Sequence, residues 1–379
     1  MDSLDKQSAI QAQLSQLLPG LLFDEPLAKY STMRVGGPAR YFLTTKTTAE
    51  LIQAMKVVWQ FDIPYHLLGG GSNTLFADSG FAGLVIRHQA NQIIFSHGQS
   101  AESKDQIEEL SWSDPYQKAG RYVEYQSQQY LQFADLDYAE RPGETVVRVE
   151  SGTNLTGLIV KTLDRNLSGL QWFGGIPGTL GGAVWNNIHG GTHLLAERVH
   201  QVTALNQAGQ LVYYSPEQVG FGYDISRFHQ SGEIILSTDL LLTQSTELEI
   251  ERAEKTFREW VRRKAAMQPK QGSLGSTFKN ISEAERLKHN LPTGAAGYLI
   301  DQVGLKGRVC GGATIYDQHA NFIINQGQAK ASDIIELMLL AQRSVQAKFG
   351  IRLEPEIVLV GQFDEAARPL QWLKQTDGK

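Results

Sequence analysis

The sequence predicts an α+β protein of two or three domains, and three observations predict it. A chain of 379 residues is too long for one simple core. Strand-like apolar runs alternate with helical patterns along most of it. Two of those patterns open onto glycine-rich loops, Gly69-Gly70-Gly71-Ser72-Asn73 and Gly174-Gly175-Ile176-Pro177-Gly178-Thr179-Leu180-Gly181-Gly182. With 41% hydrophobic and 20% charged residues, the composition is that of an ordinary globular chain.

In order, residues 1–30 read as a short polar helix and a loop, with Leu14, Leu17, Leu18, Leu21 and Leu22 as a modest apolar face. Residues 31–42 are a turn running into a strand. Thr47 and Glu50 have capping-box spacing. Behind them Leu51, Ile52, Met55, Val58 and Trp59 fall on one face of a core-facing helix. Residues 64–68 read as a buried strand, and after the first glycine run the chain returns through residues 83–86. Between 88 and 145 aliphatic residues thin out while charge, Gln and Tyr dominate, which predicts a solvated insertion.

The pattern resumes with a strand at 146–150 and a helix through Leu155, Leu158, Ile159, Thr162 and Leu163, ending near Asn166. Strands at 202–205, 211–214 and 234–242 continue an α+β sheet. Thr246 and Glu249 mark the start of a charged helix that runs to about Ala266. The stretches 272–280, 295–301 and 304–307 read as loops built for chemistry. Residues 332–349 form an amphipathic helix closed by Gly350. A strand over 354–360 and a frayed tail from Asp364 complete the chain.

A formal net charge of -5 argues against a general nucleic-acid binder, which would carry a basic stripe. The single cysteine, Cys310, rules out an internal disulfide and a cysteine-cluster metal site, and it suits a reducing cytosol. The histidines show no metal-ligand spacing, so no metal is assigned. The first residues carry no basic-then-apolar signal, and no apolar run approaches a membrane span. The expected location is the cytoplasm, without membrane insertion. No Gly-x-Ser-x-Gly elbow points to a hydrolase.

The glycine runs are the chemical signal. Glycine permits positive φ and close approach to bare N–H groups, so each run is either an ordinary turn or a nest of amides around an anion. The first run is neither a Walker loop nor a Rossmann fingerprint, because no Gly-Lys-Ser/Thr and no long helix follow. Together the two suggest loops gripping one extended diphosphate, for which a dinucleotide is the natural candidate. Ser276, in a glycine turn before Lys279 and Asn280, is either an exposed turn residue or a proton donor beside a cationic pocket. Glu356 lies among apolar residues, where an inward carboxylate is costly unless paired or protonated. Glu354 shares its direction two residues earlier, and the sequence leaves open which of them is inside.

Several motifs, in order, resemble those of the UDP-N-acetylenolpyruvoylglucosamine reductase family. They are Thr32 with Gly36-Gly37-Pro38-Ala39, Gly69-x-Gly71-Ser72-Asn73, Gly175-Ile176-Pro177-Gly178-Thr179-Leu180-Gly181-Gly182-Ala183, Gly275-Ser276-x-Phe278-Lys279-Asn280, Ala296-Gly297-x-Leu299-Ile300-Asp301, Gly304-Leu305-Lys306-Gly307, His319-Ala320-Asn321-Phe322 and Leu353-Glu354-Pro355-Glu356. The resemblance covers residues 30 to 362 apart from 88–145.

It implies a PCMH-like FAD-binding unit at 31–245, with subdomains 31–87 and 146–245 around the insertion. An N-terminal extension (1–30), an α+β substrate-binding domain at 246–362 and a tail (363–379) make up the rest. It also implies an FAD- and NADPH-dependent reductase that converts UDP-N-acetylglucosamine enolpyruvate to UDP-N-acetylmuramate in peptidoglycan synthesis, expected as a monomer. By position Ser276 matches the proton donor and Glu356 the catalytic carboxylate. Gly69, Gly70, Gly71, Ser72, Asn73, Gly175, Ile176, Pro177, Gly178, Thr179, Gly181 and Gly182 would hold the flavin. Tyr223, Lys279 and Asn280 would bind substrate.

Two positions depart from the family pattern. Asp224 stands where an arginine that polarises the substrate carboxylate is usual, with Arg227 three residues on as the nearest replacement. To aim Arg227 inward the backbone would have to turn or bulge. The family's Asn-Ala-Gly-Ala-Tyr-Gly is here Asn187-Ile188-His189-Gly190-Gly191-Thr192, without the tyrosine. These departures motivate an alternative reading, a flavin- and UDP-sugar-binding paralogue without reductase activity. An FAD-linked oxidase is a third, disfavoured because Ser276 and Glu356 match the reductase.

Overall fold

In the computed structural model, which describes residues 3–96, 106–109 and 136–370, contacts gather the chain into two units. One contains Met1–Leu43, Phe61–Ile86 and Met267–Lys379; the other contains Thr44–Gln60 and Arg87–Ala266. The described pairs with printed register are antiparallel except Val358–Val360 with Thr74–Phe76. Helices sit between strands without a repeating βαβ order, which is the expected α+β class.

In the first unit the helix Ser3–Leu17 leads to the strand Leu22–Pro26, which pairs with Pro38–Thr45. The polar start therefore ends in a strand where the sequence suggested a loop. Leu14 and Leu18 are buried, while Leu22 faces outward. The four-stranded sheet runs Leu22–Pro26, Pro38–Thr45, Phe81–His88, Tyr65–Leu68. Phe42, Leu68, Phe76 and Val85 pack on it.

A second core in this unit gathers Leu299 and Ile300 with Ile334, Leu337, Met338 and Val345 of the helix Ala331–Phe349. Gly350 closes that helix in the left-handed conformation, at φ 72°. Residues 295–301, read as a loop, are mostly the helix Ala296–Gln302. Its apolar residues are too few for a helical period to show, and its first N–H is satisfied from a distance by Asn280. The strand expected over 354–360 shortens to Val358–Val360. The tail is not frayed at its start, because Ala367 and Leu370 of the turn Glu365–Leu370 are buried in the same core.

In the second unit the seven-stranded sheet runs Leu211–Tyr214, Val199–Leu205, Ile234–Gln244, Thr145–Glu150, Gln92–Phe95, Gln106–Glu109, and Leu167–Ser168 pairs off its path. Ile234–Gln244 is its spine, buried along most of its length, with Ser237 and Leu241 half-buried and Gln244 exposed. The helix Thr48–Gln60 starts with the reciprocal cap expected of it: Glu50 N donates to Thr47 Oγ1 at 3.2 Å and Thr47 N to Glu50 Oε2 at 3.3 Å. The helix Glu247–Met267 is capped by Thr246 and Glu249 in the same way.

The ends of the 88–145 stretch belong to this fold rather than to a solvated excursion. Ile93 and Phe95 lie in the core, and Gln92–Phe95 pairs with Thr145–Glu150. Leu136 is buried with Trp172 and Trp260, and its carbonyl accepts from Trp172 Nε1 at 2.8 Å. Alternation over so short a strand is a weak signal beside the polar composition. Residues 97–105 and 110–135 of this stretch lie outside the described residues.

Candidate active site

The first glycine run is shaped by a backbone that passes close beside it. Gly71 has φ 64°, and a Cβ there would collide with the Tyr30 carbonyl oxygen. Its own carbonyl accepts from Thr32 N at 3.0 Å, which pins the loop. The N–H groups of Gly70, Gly71 and Asn73 donate to no acceptor among the described residues. Asn73 Nδ2 donates to the Glu356 carbonyl at 3.2 Å, and Asn73 O accepts from Val358 N at 2.9 Å.

In the same unit, residues 276–279 run extended between two other segments. Ser276 bridges Phe322 on one side and Phe278 bridges Pro355 on the other. Thr277 N donates to Asn321 O at 2.8 Å, Glu356 N to Thr277 O at 2.9 Å and Lys279 N to Glu354 O at 2.9 Å. Asn321, 3% exposed, closes the clasp: its Oδ1 accepts from Phe278 N at 3.0 Å and its Nδ2 donates to Phe278 O at 2.8 Å. Ser276 and Glu356 thereby lie on neighbouring antiparallel segments, both half-buried, while Glu354 is exposed. Lys279 follows on the same run. Asn280 Oδ1 accepts from Ala296 N at 3.1 Å, so part of its amide caps a helix.

The second glycine run, in the other unit, is largely committed to protein. Ile176 N donates to Phe173 O at 3.1 Å, Leu180 N to Thr153 O at 2.9 Å and Gly181 N to Ser151 O at 2.7 Å. Among the described residues the N–H groups of Gly175, Gly178 and Thr179 find no acceptor. Packing explains most of the glycines: Gly174 lies against Phe257, Gly175 against Lys264 and Gly181 against Ser151. Gly182 instead opens outward, and a Cβ there would meet only Thr179 Oγ1 at 3.7 Å. Gly178 has φ 124°.

Beside this run are residues that the sequence reading missed. Ser151 and Thr153 are buried, and their hydroxyls make no hydrogen bond among the described residues. A buried polar group left so costs about 1–3 kcal/mol. Such hydroxyls next to unengaged amides fit the phosphate-bearing flavin that the resemblance implies. The available signal was Ser-Gly-Thr-Asn directly after the strand Thr145–Glu150. Gly152 lies where a Cβ would stand 2.6 Å from the Ala90 carbonyl oxygen, and Asn154 Oδ1 accepts from Gly157 N at 3.0 Å to cap the next helix.

A small hairpin pairs His189–Gly190 with His193–Leu194. It lies directly on Trp172, just before the second run, because a Cβ on Gly190 would collide with the Trp172 carbonyl. His189 stacks on Tyr223 with ring centroids 5.1 Å apart, and the Tyr223 hydroxyl is 3.3 Å from His189 Nε2. Tyr223 and Asp224 are the central residues of a tight turn in which Gly222 N donates to Ile225 O at 3.0 Å. Asp224 has φ 50°, a conformation aspartate tolerates, and is 2% exposed. Burial lowers the His189 pKa; the Asp224 charge opposes that shift and Lys264 adds to it. Lys264 is half-buried beneath Gly175 and 5.8 Å from the Trp260 ring centroid. Desolvation pushes its ammonium down to about 7.

The backbone does turn at 222–225, and the turn buries Asp224. Arg227 lies at the start of the helix Phe228–Ser231, where its Nε donates to Glu233 Oε2 at 3.2 Å and its Nη1 to Gln218 O at 3.0 Å. Its guanidinium lies over the Tyr214 ring at 3.9 Å. One unit thus gathers Gly69–Asn73, Ser276, Lys279, Asn280 and Glu356; the other gathers the 175–182 run with Tyr223, and holds Arg227 on partners of its own. No group of three or more metal-ligating side chains, and no helix long and apolar enough to cross a membrane, occurs among the described residues.

Comparison with known proteins points one way. The family model for the C-terminal domain of UDP-N-acetylenolpyruvoylglucosamine reductase matches residues 268–360. The reductase of Chlamydia abortus is 31% identical over 88% of this chain and 92% of its own length. That of a Synechococcus species is 33% identical over 90% and 91%. The crystal structure of the Thermus caldophilus enzyme, MurB, is similar with a TM-score of 0.61 at 30% identity, covering 90% of this chain and 98% of that one.

Proposed function

The chain belongs to the UDP-N-acetylenolpyruvoylglucosamine reductase family, and from that premise we propose how its residues divide the reaction. The protein is an NADPH-dependent flavin oxidoreductase of peptidoglycan synthesis, reducing UDP-N-acetylglucosamine enolpyruvate to UDP-N-acetylmuramate. Bound FAD supplies the hydride chemistry between NADPH and the enolpyruvyl double bond. The amides of Gly69–Asn73 and of the 175–182 run hold the cofactor, joined by the Ser151 and Thr153 hydroxyls.

The chain's task at the substrate is proton and charge management. Hydride addition leaves an electron pair on the carbon beside the substrate carboxylate, which must be stabilised and then protonated. Ser276 donates that proton from its hydroxyl. Glu356, on the neighbouring segment, is the carboxylate that restores it. Lys279, Asn280 and Tyr223 bind the substrate's anionic groups. A direct role for Arg227 requires its guanidinium to leave Glu233, Gln218 and Tyr214. The lone Cys310 suits a reducing compartment such as the cytoplasm.

The observation that carries this reading is the clasp that sets Ser276 beside the Glu356 segment. The test is NADPH oxidation by the purified yellow protein with and without the enolpyruvyl UDP-sugar, under anaerobic conditions. Consumption of NADPH matched to substrate reduced is expected. A flavin that NADPH reduces but the substrate never re-oxidises would replace the reductase with the binding paralogue.

A further inference from the structure

We propose that residues 136–141, the return leg of the 88–145 stretch, form part of the flavin cradle, with Glu140 as the residue that positions the second glycine run. The inference rests on the place proposed above for FAD at that run. It gives a duty to a stretch whose sequence carries no motif. Leg and run lie in the same unit.

Glu140 is the hub of the leg. Its Oε1 accepts from Gln171 Nε2 at 2.6 Å and its Oε2 from Arg198 Nη2 at 3.2 Å, and both charged side chains are largely buried. Gln171 is fully buried, and its Oε1 accepts from Gly169 N at 2.7 Å. The Gln171 carbonyl in turn accepts from Gly174 N, the first amide of the run, at 3.3 Å. One residue on, Trp172 Nε1 donates to the Leu136 carbonyl at 2.8 Å. The leg is anchored on its other side to the spine strand. There Arg141 Nη2 donates to Gln244 O at 3.1 Å, and Arg141 O accepts from Thr243 Oγ1 at 3.0 Å.

Two donors at the entry of the run, Gln171 Nε2 and Trp172 Nε1, thus find their acceptors on the leg. Without it each would be a buried polar group lacking a partner, a state that folded chains avoid by shifting the segment concerned. The segment that would shift is the turn Gln171–Phe173, which carries the first amides of the run: Gly174 N bonds to Gln171 O, and Ile176 N to Phe173 O. Glycines have no side chains with which to fix a loop, so its shape is set where it is tied at its ends. A nest of backbone amides holds an anion tightly only when it is set in place beforehand. Glu140 acts through Gln171, so it is a positioning residue.

The experiment compares two double variants, E140Q/R198M and E140L/R198M. Both replace the buried ion pair, an exchange that folds commonly tolerate; they differ in whether Gln171 keeps an acceptor. Holoprotein is stripped of flavin and titrated with FAD, read by flavin fluorescence, at a temperature where circular dichroism shows every variant folded. E140Q/R198M should bind FAD as the wild type does, and E140L/R198M about tenfold more weakly or worse. Backbone amides over residues 171–178 should exchange hydrogen faster in the apoprotein of E140L/R198M alone. If the R198M background fails to fold, E140Q and E140L are compared on their own, with the same expectation. Equal FAD affinity in the two members of the pair, with a lower melting temperature for the leucine variant, overturns the inference by making Glu140 merely structural, and leaves the reductase reading standing. A wild-type protein that takes up no FAD would instead bring down the reductase reading, and this inference with it.

Discussion

The two glycine runs look alike in sequence and are glycine-rich for different reasons. In the first, Gly71 is required because another backbone passes against it, and the amides of Gly70, Gly71 and Asn73 find no acceptor among the described residues. In the second, Gly174, Gly175 and Gly181 make room for Phe257, Lys264 and Ser151, and several amides are spent on the protein. Its unengaged polar groups are then partly hydroxyls from the adjoining segment, Ser151 and Thr153. A glycine run therefore marks close approach, but it does not say whether ligand or protein does the approaching.

Substitutions can break that contrast. The largest effect is expected from Gly178→Val. At φ 124° the side chain is strained, and the variant should purify colourless; retention of FAD, read from flavin absorbance, would clear the loop of a role in binding. Gly71→Ala should cost fold stability, because the new methyl meets the Tyr30 carbonyl. A melting temperature equal to wild type would show that the first run relaxes easily.

Thr153→Val sharpens the comparison, since it separates ligand from fold. Losing a hydrogen bond to a charged group costs about 1.5–3 kcal/mol, or roughly 10–100-fold in FAD affinity. The apoprotein should be no less stable, because the hydroxyl has no partner among the described residues to lose. Lower apoprotein stability with unchanged FAD affinity would make Thr153 structural. Gly182→Ala should stabilise the apoprotein by about 0.5–1 kcal/mol, as a helical glycine with open space at its Cβ. If cofactor approaches there, FAD affinity falls in the same variant.

An effect of similar, small size concerns Lys264. Its ammonium is lowered from 10.5 to about 7 in the folded protein, so the unfolded chain binds more protons between those values. Apoprotein stability should accordingly rise with pH from about 7 to about 10.5, by on the order of 1 kcal/mol once solvent screening of the half-buried chain is allowed for. Lys264→Met should flatten that slope in denaturant titrations; an unchanged slope would assign it to other groups.

Much of this was legible before the structure. Period and caps located the helices at 48–60, 155–163, 247–267 and 331–349, because an amphipathic face and a capping box are local facts. Glu356 as the more buried of two carboxylates was not legible, since direction along an irregular extended segment depends on what flanks it. Asn321 could be matched to a motif, but its work as a two-ended clamp on Phe278 appears only in three dimensions. Ser151 and Thr153 escaped for the same reason: a missing partner is a tertiary property.

The measurement that tests the central claim most directly is stopped-flow comparison of wild type and Ser276→Ala through both half-reactions. Reduction by NADPH needs no proton from Ser276 and should proceed equally in both proteins. Re-oxidation by the enolpyruvyl UDP-sugar should slow by about 10²–10⁴-fold in the variant, the usual contribution of a positioned acid. Equal impairment of both half-reactions, or of neither, would contradict the assignment of Ser276 as the proton donor of this reductase.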